Sequence, residues 1–255
     1  MGKFLTGLLI FARVSGLVAF GPFFNNSMVI PHVKVILTFI LTVSITSIYW
    51  QDQPPLDFHL WYMVLLVIKE FSVGALLGFS ANLVFYAARF AGGIIDFDMG
   101  YHTALMFNRD VGSPTLVGEL KELGVLMLFL ILNGHHFLIE ALYASVQVVP
   151  LTVFEISEST IQLLIRMVTS VMIIGVKMSA PLLVAIFLTN LALALMARVS
   201  PQTNIFILSF QTKIFVGLLV LMATVPLFVM VAKWALGEME TETMKILMSL
   251  NPGRV

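Results

Sequence analysis

The chain has 255 residues, of which 59% are hydrophobic and 11% charged, less than half the ~25% charge of a soluble domain. So few charges cannot clothe a water-facing surface, and the surplus of Leu, Ile, Val, Met and Phe must face lipid, partner subunits or both. The 14 basic and 14 acidic residues cancel and cysteine is absent, which excludes a basic nucleic-acid-binding stripe, disulfides, thiol catalysis and cysteine zinc sites.

Six apolar segments follow in chain order, at about 4–21, 33–50, 60–90, 123–149, 161–196 and 205–236. The first opens directly after Met1-Gly2-Lys3. It lacks the small-residue cleavage site of a signal peptide, and its apolar pattern resumes after Arg13, so it reads as a retained helix. It and the second segment have the length of single spans, because ~20 helical residues cross a ~30 Å hydrocarbon layer. The residues of 161–196 would reach on the order of 54 Å if straight, too long for one crossing. Gly134, Pro181 and Pro226 each fall well inside one of the last three segments, and breaks or kinks are expected there.

Flanking charge gives no orientation. On a six-span alternating topology, Lys3, Arg13, Lys233, Lys245 and Arg254 collect on one side and Lys34, Arg109, Lys121 and Arg198 on the other. That near balance argues against a simple six-span arrangement. Arg13, Lys69, Glu70, Arg89, Glu140, Arg166, Lys177 and Lys213 stand inside apolar runs. A lipid-facing charge near mid-membrane costs at least ~2.5–3.5 kcal/mol, so these must pair, snorkel, meet a partner chain or line a wet interior. The fold class that follows is all-α: a polytopic membrane protein of kinked or broken helical hairpins, one domain over 1–255.

The connections differ in character. Residues 51–59 form a short turn, whereas 91–122 form one long connection broken by Gly92, Gly93, Gly100, Gly112 and Pro114. Connections of that length are usually functional or disordered, and Tyr101, Leu105, Met106 and Phe107 argue against simple disorder. Gly92, Gly93 and Gly100 are the expected hinges. Asp96 and Asp98 sit at the expected helix end and suit capping or pairing with Arg89, with no nucleophile or histidine nearby for acid–base work. His135 and His136 point about 100° apart on a helix and read as part of a polar helix break with Asn133 and Gly134, not as metal ligands. Gly74 and Gly78 permit close helix approach, within the chain or to another subunit. No catalytic residue, cofactor or metal site is expected.

Residues Arg198 to Phe206 form a compact polar turn. Pro201 ends one helix, Ser200, Thr203 or Asn204 can cap the next, and Arg198 can satisfy the preceding carbonyls. The Arg-x-x-Pro-Gln-x-Asn-x-Phe run, carried by Arg198, Pro201, Gln202, Asn204 and Phe206, resembles the signature of the FliR/SpaR/YscT family of type III protein export gates. Further matches fall in order: Arg13 with Gly21-Pro22, Gly74-x-x-x-Gly78-Phe79, Ala91-Gly92-Gly93 with Asp96 and Met99-Gly100, Asn133-Gly134-His135-His136, Ser145, Pro150, Ala180-Pro181, Asn190, Lys213 and Gly217. The resemblance covers nearly the whole chain.

That resemblance implies a non-enzymatic subunit of a helical pore assembly. FliP-like and FliQ-like subunits are its implied partners in the channel, with FlhB-like and FlhA-like export components beside it. Unfolded flagellar proteins are the implied passengers and membrane lipid the surroundings, with no nucleic acid. The implied location is the bacterial inner membrane within the flagellar basal body. Residues 101–117 are implied to plug the pore, with Tyr101, Leu105, Met106 and Phe107 as the stopper. The turn at Arg198–Phe206 and the buried charges Lys177 and Lys213 are expected to contact partner subunits. The Asn-Gly-His-His run favours the flagellar branch over the virulence-secretion branch. A small-solute transporter should show internal repeats, and none is visible. An intramembrane enzyme should show polar residues paired at catalytic spacing on facing helices, and neither the Asp96–Asp98 nor the His135–His136 pair qualifies.

Overall fold

The computed structural model describes residues 2–22, 30–50, 60–101, 115–154, 157–202 and 204–251. The described residues form eight helices and no strand: α1 (Gly2–Phe20), α2 (Pro31–Tyr49), α3 (Leu60–Asp98), α4 (Leu116–Ile131), α5 (Gly134–Val148), α6 (Glu158–Val199), α7 (Ile205–Ala223) and α8 (Val225–Ser249). Among them, five helices are long and apolar enough to cross a membrane, or six if the broken pair α4 and α5 is one span.

Helix ends follow local chemistry. Pro31 opens α2 at a position whose N–H has no intrahelical partner anyway. The break between α4 and α5 falls where Gly134 predicts it. Asn133 takes the left-handed conformation (φ 59°) and its carbonyl accepts from His136 (2.9 Å) and Phe137 (3.3 Å), so the polar break is satisfied by its own backbone. Asn204 is the residue that caps α7, its side chain accepting from the Ile207 N–H at 3.5 Å. The Thr224 carbonyl accepts from Phe228 (2.9 Å) at the start of α8, which places Pro226 in a first turn, where proline is tolerated.

Two boundaries differ from the sequence expectation. Helix α3 does not stop near residue 90. It passes through Gly92-Gly93 to Asp98, because tertiary contact compensates the weak helix propensity of those glycines. Helix α6 runs 42 residues through Pro181, where a kink or break is expected. Proline removes one backbone donor there, and the helix continues on its remaining bonds. At ~1.5 Å per residue α6 is about 63 Å long.

The chain divides into two compact units. The first comprises residues 1–83, 129–169 and 236–255; the second comprises 84–128 and 170–235. In the first unit α1 lies antiparallel to α2, as Lys3 over the Trp50 ring (5.5 Å) and Gly7 facing Thr46 show. It lies parallel to α3. A Cβ on Gly74 would run into the Arg13 carbonyl, one on Gly16 into the Phe71 carbonyl, and one on Gly78 would come within 2.8 Å of the Leu17 carbonyl. The small-residue pair Gly74 and Gly78 therefore serves helix packing inside this chain. In this unit Leu9, Leu17, Val73, Leu77 and Leu138 are buried.

The second unit is built around a cluster of Ile95, Met99, Val117, Leu182 and Ile186, with Val220 and Leu221 against it. Backbones touch here too. A Cβ on Gly92 would collide with the Gly118 backbone, one on Gly175 with the Phe90 ring, and one on Gly217 would lie within 3.0 Å of three Met99 side-chain atoms.

Substituting Gly74 by Ala is expected to destabilise the detergent-solubilised protein by about 1–3 kcal/mol, because no side-chain movement clears a backbone carbonyl. Gly237 has open space around its Cβ position, and Gly237→Ala is expected to be neutral or stabilising by up to ~1 kcal/mol. Thermal unfolding of both variants checks the contrast.

Candidate functional site

The most concentrated polar chemistry lies inside the first unit. Arg13 on α1 and Glu70 on α3 are both wholly buried and paired, with guanidinium Nη2 2.5 Å from Glu70 Oε2. Arg13 Nε donates to the same oxygen at 2.7 Å. Its Nη1 donates to the Ser145 carbonyl (2.7 Å), the Val149 carbonyl (3.0 Å) and Ser145 Oγ (3.3 Å). These carbonyls belong to the last turn and C-cap of α5, the end that carries partial negative charge and welcomes a cation. Glu70 Oε1 accepts the N–H of Thr152 at 3.1 Å, a residue held at φ 82°. A single ion pair thus fixes α1, α3, the end of α5 and the turn after it.

The local sequence explains the placement. Glu70, Gly74 and Gly78 recur every four residues and share one face of α3. The glycines let α1 approach until Arg13 can reach the carboxylate one turn earlier. Sequence reasoning named Arg13, Glu70 and the glycines separately and did not join them. The available signal was the acidic residue standing one turn before a small-xxx-small pair.

In the second unit, the two described ends of the long connection meet at a built base. Asp96, buried near the end of α3, accepts the Val117 N–H of α4 on both carboxylate oxygens (3.1 and 3.3 Å). It caps α4 from outside that helix, satisfying an orphan donor at its first turn and favouring the positive end of its dipole. One turn before Asp96, Gly92 abuts Gly118. After it, Met99 seats on Gly217 and Gly100 takes φ 80°, a left-handed helix ending natural to glycine. Asp96 is therefore the capping residue, and Arg89 pairs instead with Glu122, bidentate at 2.7 and 2.6 Å.

Of the expected hinges, only Gly100 stands outside α3; Gly92 and Gly93 lie within it, and Gly92 is a buried packing contact. Tyr101 is half-buried beside this base. Leu105, Met106 and Phe107 lie outside the described residues. Val117, taken as the end of the plug, is instead a buried core residue of α4. Arg198, Pro201, Gln202, Asn204 and Phe206 are all exposed on this chain. Lys177 is exposed as well, 5.1 Å from the Trp234 ring centroid, and Lys213 is half-buried. The burial expected of these two lysines is not supplied by this chain's own atoms. Among the described residues, the charges that the chain itself buries are Arg13, Glu70, Asp96 and Lys121.

Removing one partner of the Arg13–Glu70 pair strands a buried charge. Arg13→Met and Glu70→Gln are each expected to cost about 3–5 kcal/mol in thermal unfolding of the purified chain. Arg13→Met with Glu70→Met should cost clearly less than the sum of the single changes, because neither charge remains. Additive losses would contradict the pairing.

Comparison with known proteins matches the sequence to a family. The family described as bacterial export proteins, family 1, matches residues 4–239. The chain is 31% identical over 248 residues to the flagellar biosynthetic protein FliR of Bacillus subtilis (strain 168), covering 95% of this chain and 94% of that protein. It is 29% identical over 219 residues to the protein of the same name from Escherichia coli (strain K12), covering 84% and 82%. It is also 30% identical over 165 residues to Yop proteins translocation protein T of Yersinia pestis, covering 64% and 63%. An apolar helical chain matched over nearly its whole length belongs to the bacterial export proteins, family 1.

Proposed function

We propose that this chain is a non-enzymatic subunit of a flagellar type III export gate, assembled in the bacterial inner membrane with FliP-like and FliQ-like subunits around a channel for unfolded flagellar proteins. FlhB-like and FlhA-like components act beside it. The family match across residues 4–239 carries the reading. The flagellar branch is preferred because the flagellar relatives match over up to 95% of the chain, against 64% for the translocation protein.

Two physical features support it. Helix α6, at about 63 Å, is twice the ~30 Å hydrocarbon thickness. Yet exposed apolar residues run along its whole length, from Ile161 and Ile165 through Val184 and Phe187 to Leu195 and Val199. Lipid covers only part of such a surface, and partner subunits cover the rest. The other feature is the base formed by Gly92, Asp96, Met99, Gly100 and Gly118, which returns the chain to the point from which residues 101–115 depart. A connection tied at its neck can fill a pore without disturbing the helices that carry it. Its Tyr101, Leu105, Met106 and Phe107 supply the apolar stopper.

Ion conductance across bilayers containing the assembled complex tests the plug. Because Val117 belongs to α4, residues 103–113 are exchanged for a Gly-Ser linker. A leak in that variant, with partners retained and the wild type tight, is the expected result. A tight, fully assembled variant would place the barrier on a partner.

A further inference from the structure

Lys121 lies on the packed side of α4 and is only 7% exposed. Its Nζ stands 4.5 Å from the centroid of the Phe228 ring on α8. Gly124, about one turn further on, leaves room for that ring, since a Cβ there would approach it to 3.0 Å. Among the described residues no carboxylate pairs with Lys121, and the adjacent Glu122 is engaged by Arg89. A cation–π contact restores only part of what an ammonium loses on leaving water. Next to Lys121 and Phe228 along their helices, Leu120 is 65% exposed and Leu227 44%.

We propose that Lys121 is the charged centre of a subunit interface, and that its occupant is an aspartate or glutamate side chain of a neighbouring export-gate subunit. The inference rests on the reading of the chain as a gate subunit. One nearly dry charge, with exposed Leu120 next to it and exposed Leu227 next to Phe228, is the arrangement of an interface hot spot. A helix packed over those apolar residues removes the last water from the ammonium, and an opposite charge within hydrogen-bond reach compensates that loss. A lipid phosphate is the poorer fit. The ammonium is recessed beside Phe228, where a carboxylate carried on a packed helix reaches and a bulky headgroup does not.

The test uses the full chain co-purified with FliP-like and FliQ-like partners. Lys121→Met should retain at least about tenfold less partner, while Lys121→Arg retains it. The isolated Lys121→Met chain should melt no lower than wild type, because an unpaired charge has been replaced by an apolar group of similar length. Partner retention by Lys121→Met equal to wild type overturns the assignment. Selected suppressors of Lys121→Glu should be Asp or Glu changed to Lys or Arg in a partner. Suppressors confined to this chain overturn it too. A wild-type chain that captures no such partner contradicts the gate reading itself, whereas an intact complex insensitive to Lys121→Met contradicts only the interface.

Discussion

A guanidinium and a carboxylate with no exposed surface have no water to fall back on, and α1, α3, the end of α5 and the turn after it are arranged around that constraint. Arg13 uses Nε and Nη2 on Glu70 and Nη1 on the carbonyl end of α5, while Glu70 turns its second oxygen to the Thr152 N–H. The groups come from α1, α3, the end of α5 and the turn after it, so none of these can shift without stranding a charge in an apolar interior. Such a pair is weak evidence for high stability. Its effect is to fix which face of α1 meets α3 and where α5 ends, and Gly16, Gly74 and Gly78 make that geometry possible by letting backbones touch.

The second unit solves a different problem with similar means. Its long connection must leave α3 and return to α4, and the return is set by Asp96 accepting the Val117 N–H beside the Gly92–Gly118 contact. Here a carboxylate pairs with a helix terminus instead of a cation. Met99 on Gly217 ties the same neck to α7. Rigid helices therefore end close to where the chain's proposed moving part begins, which is what a gate carried by a fixed wall requires.

Much of this was legible in the residues. Composition fixed the membrane class, and helix α2 and the breaks at Gly134 and Pro226 fall within about two residues of where apolar length and turn chemistry place them. The overrun of α3 past residue 90 was not legible, since Gly92-Gly93 reads locally as a breaker and only contact with Gly118 converts Gly92 into a packing position. The partners of Arg13 and Arg89 stand 57 and 33 residues away along the chain, and no local period reports a pairing of that range. Lys177 and Lys213 show the converse limit. Apolar neighbours in sequence suggested burial, but this chain's own atoms leave Lys177 exposed and Lys213 half-buried.

In the proposed gate, this chain lines a protein-conducting channel near the base of its long connection. Site-specific photo-crosslinking in the assembled complex, with a fusion substrate stalled during export, tests it most directly. A photoreactive residue at position 101, beside that base, is predicted to capture the stalled substrate, and one at the highly exposed position 61 is predicted not to. Capture at 61 but not at 101, with substrate demonstrably engaged, would contradict the account.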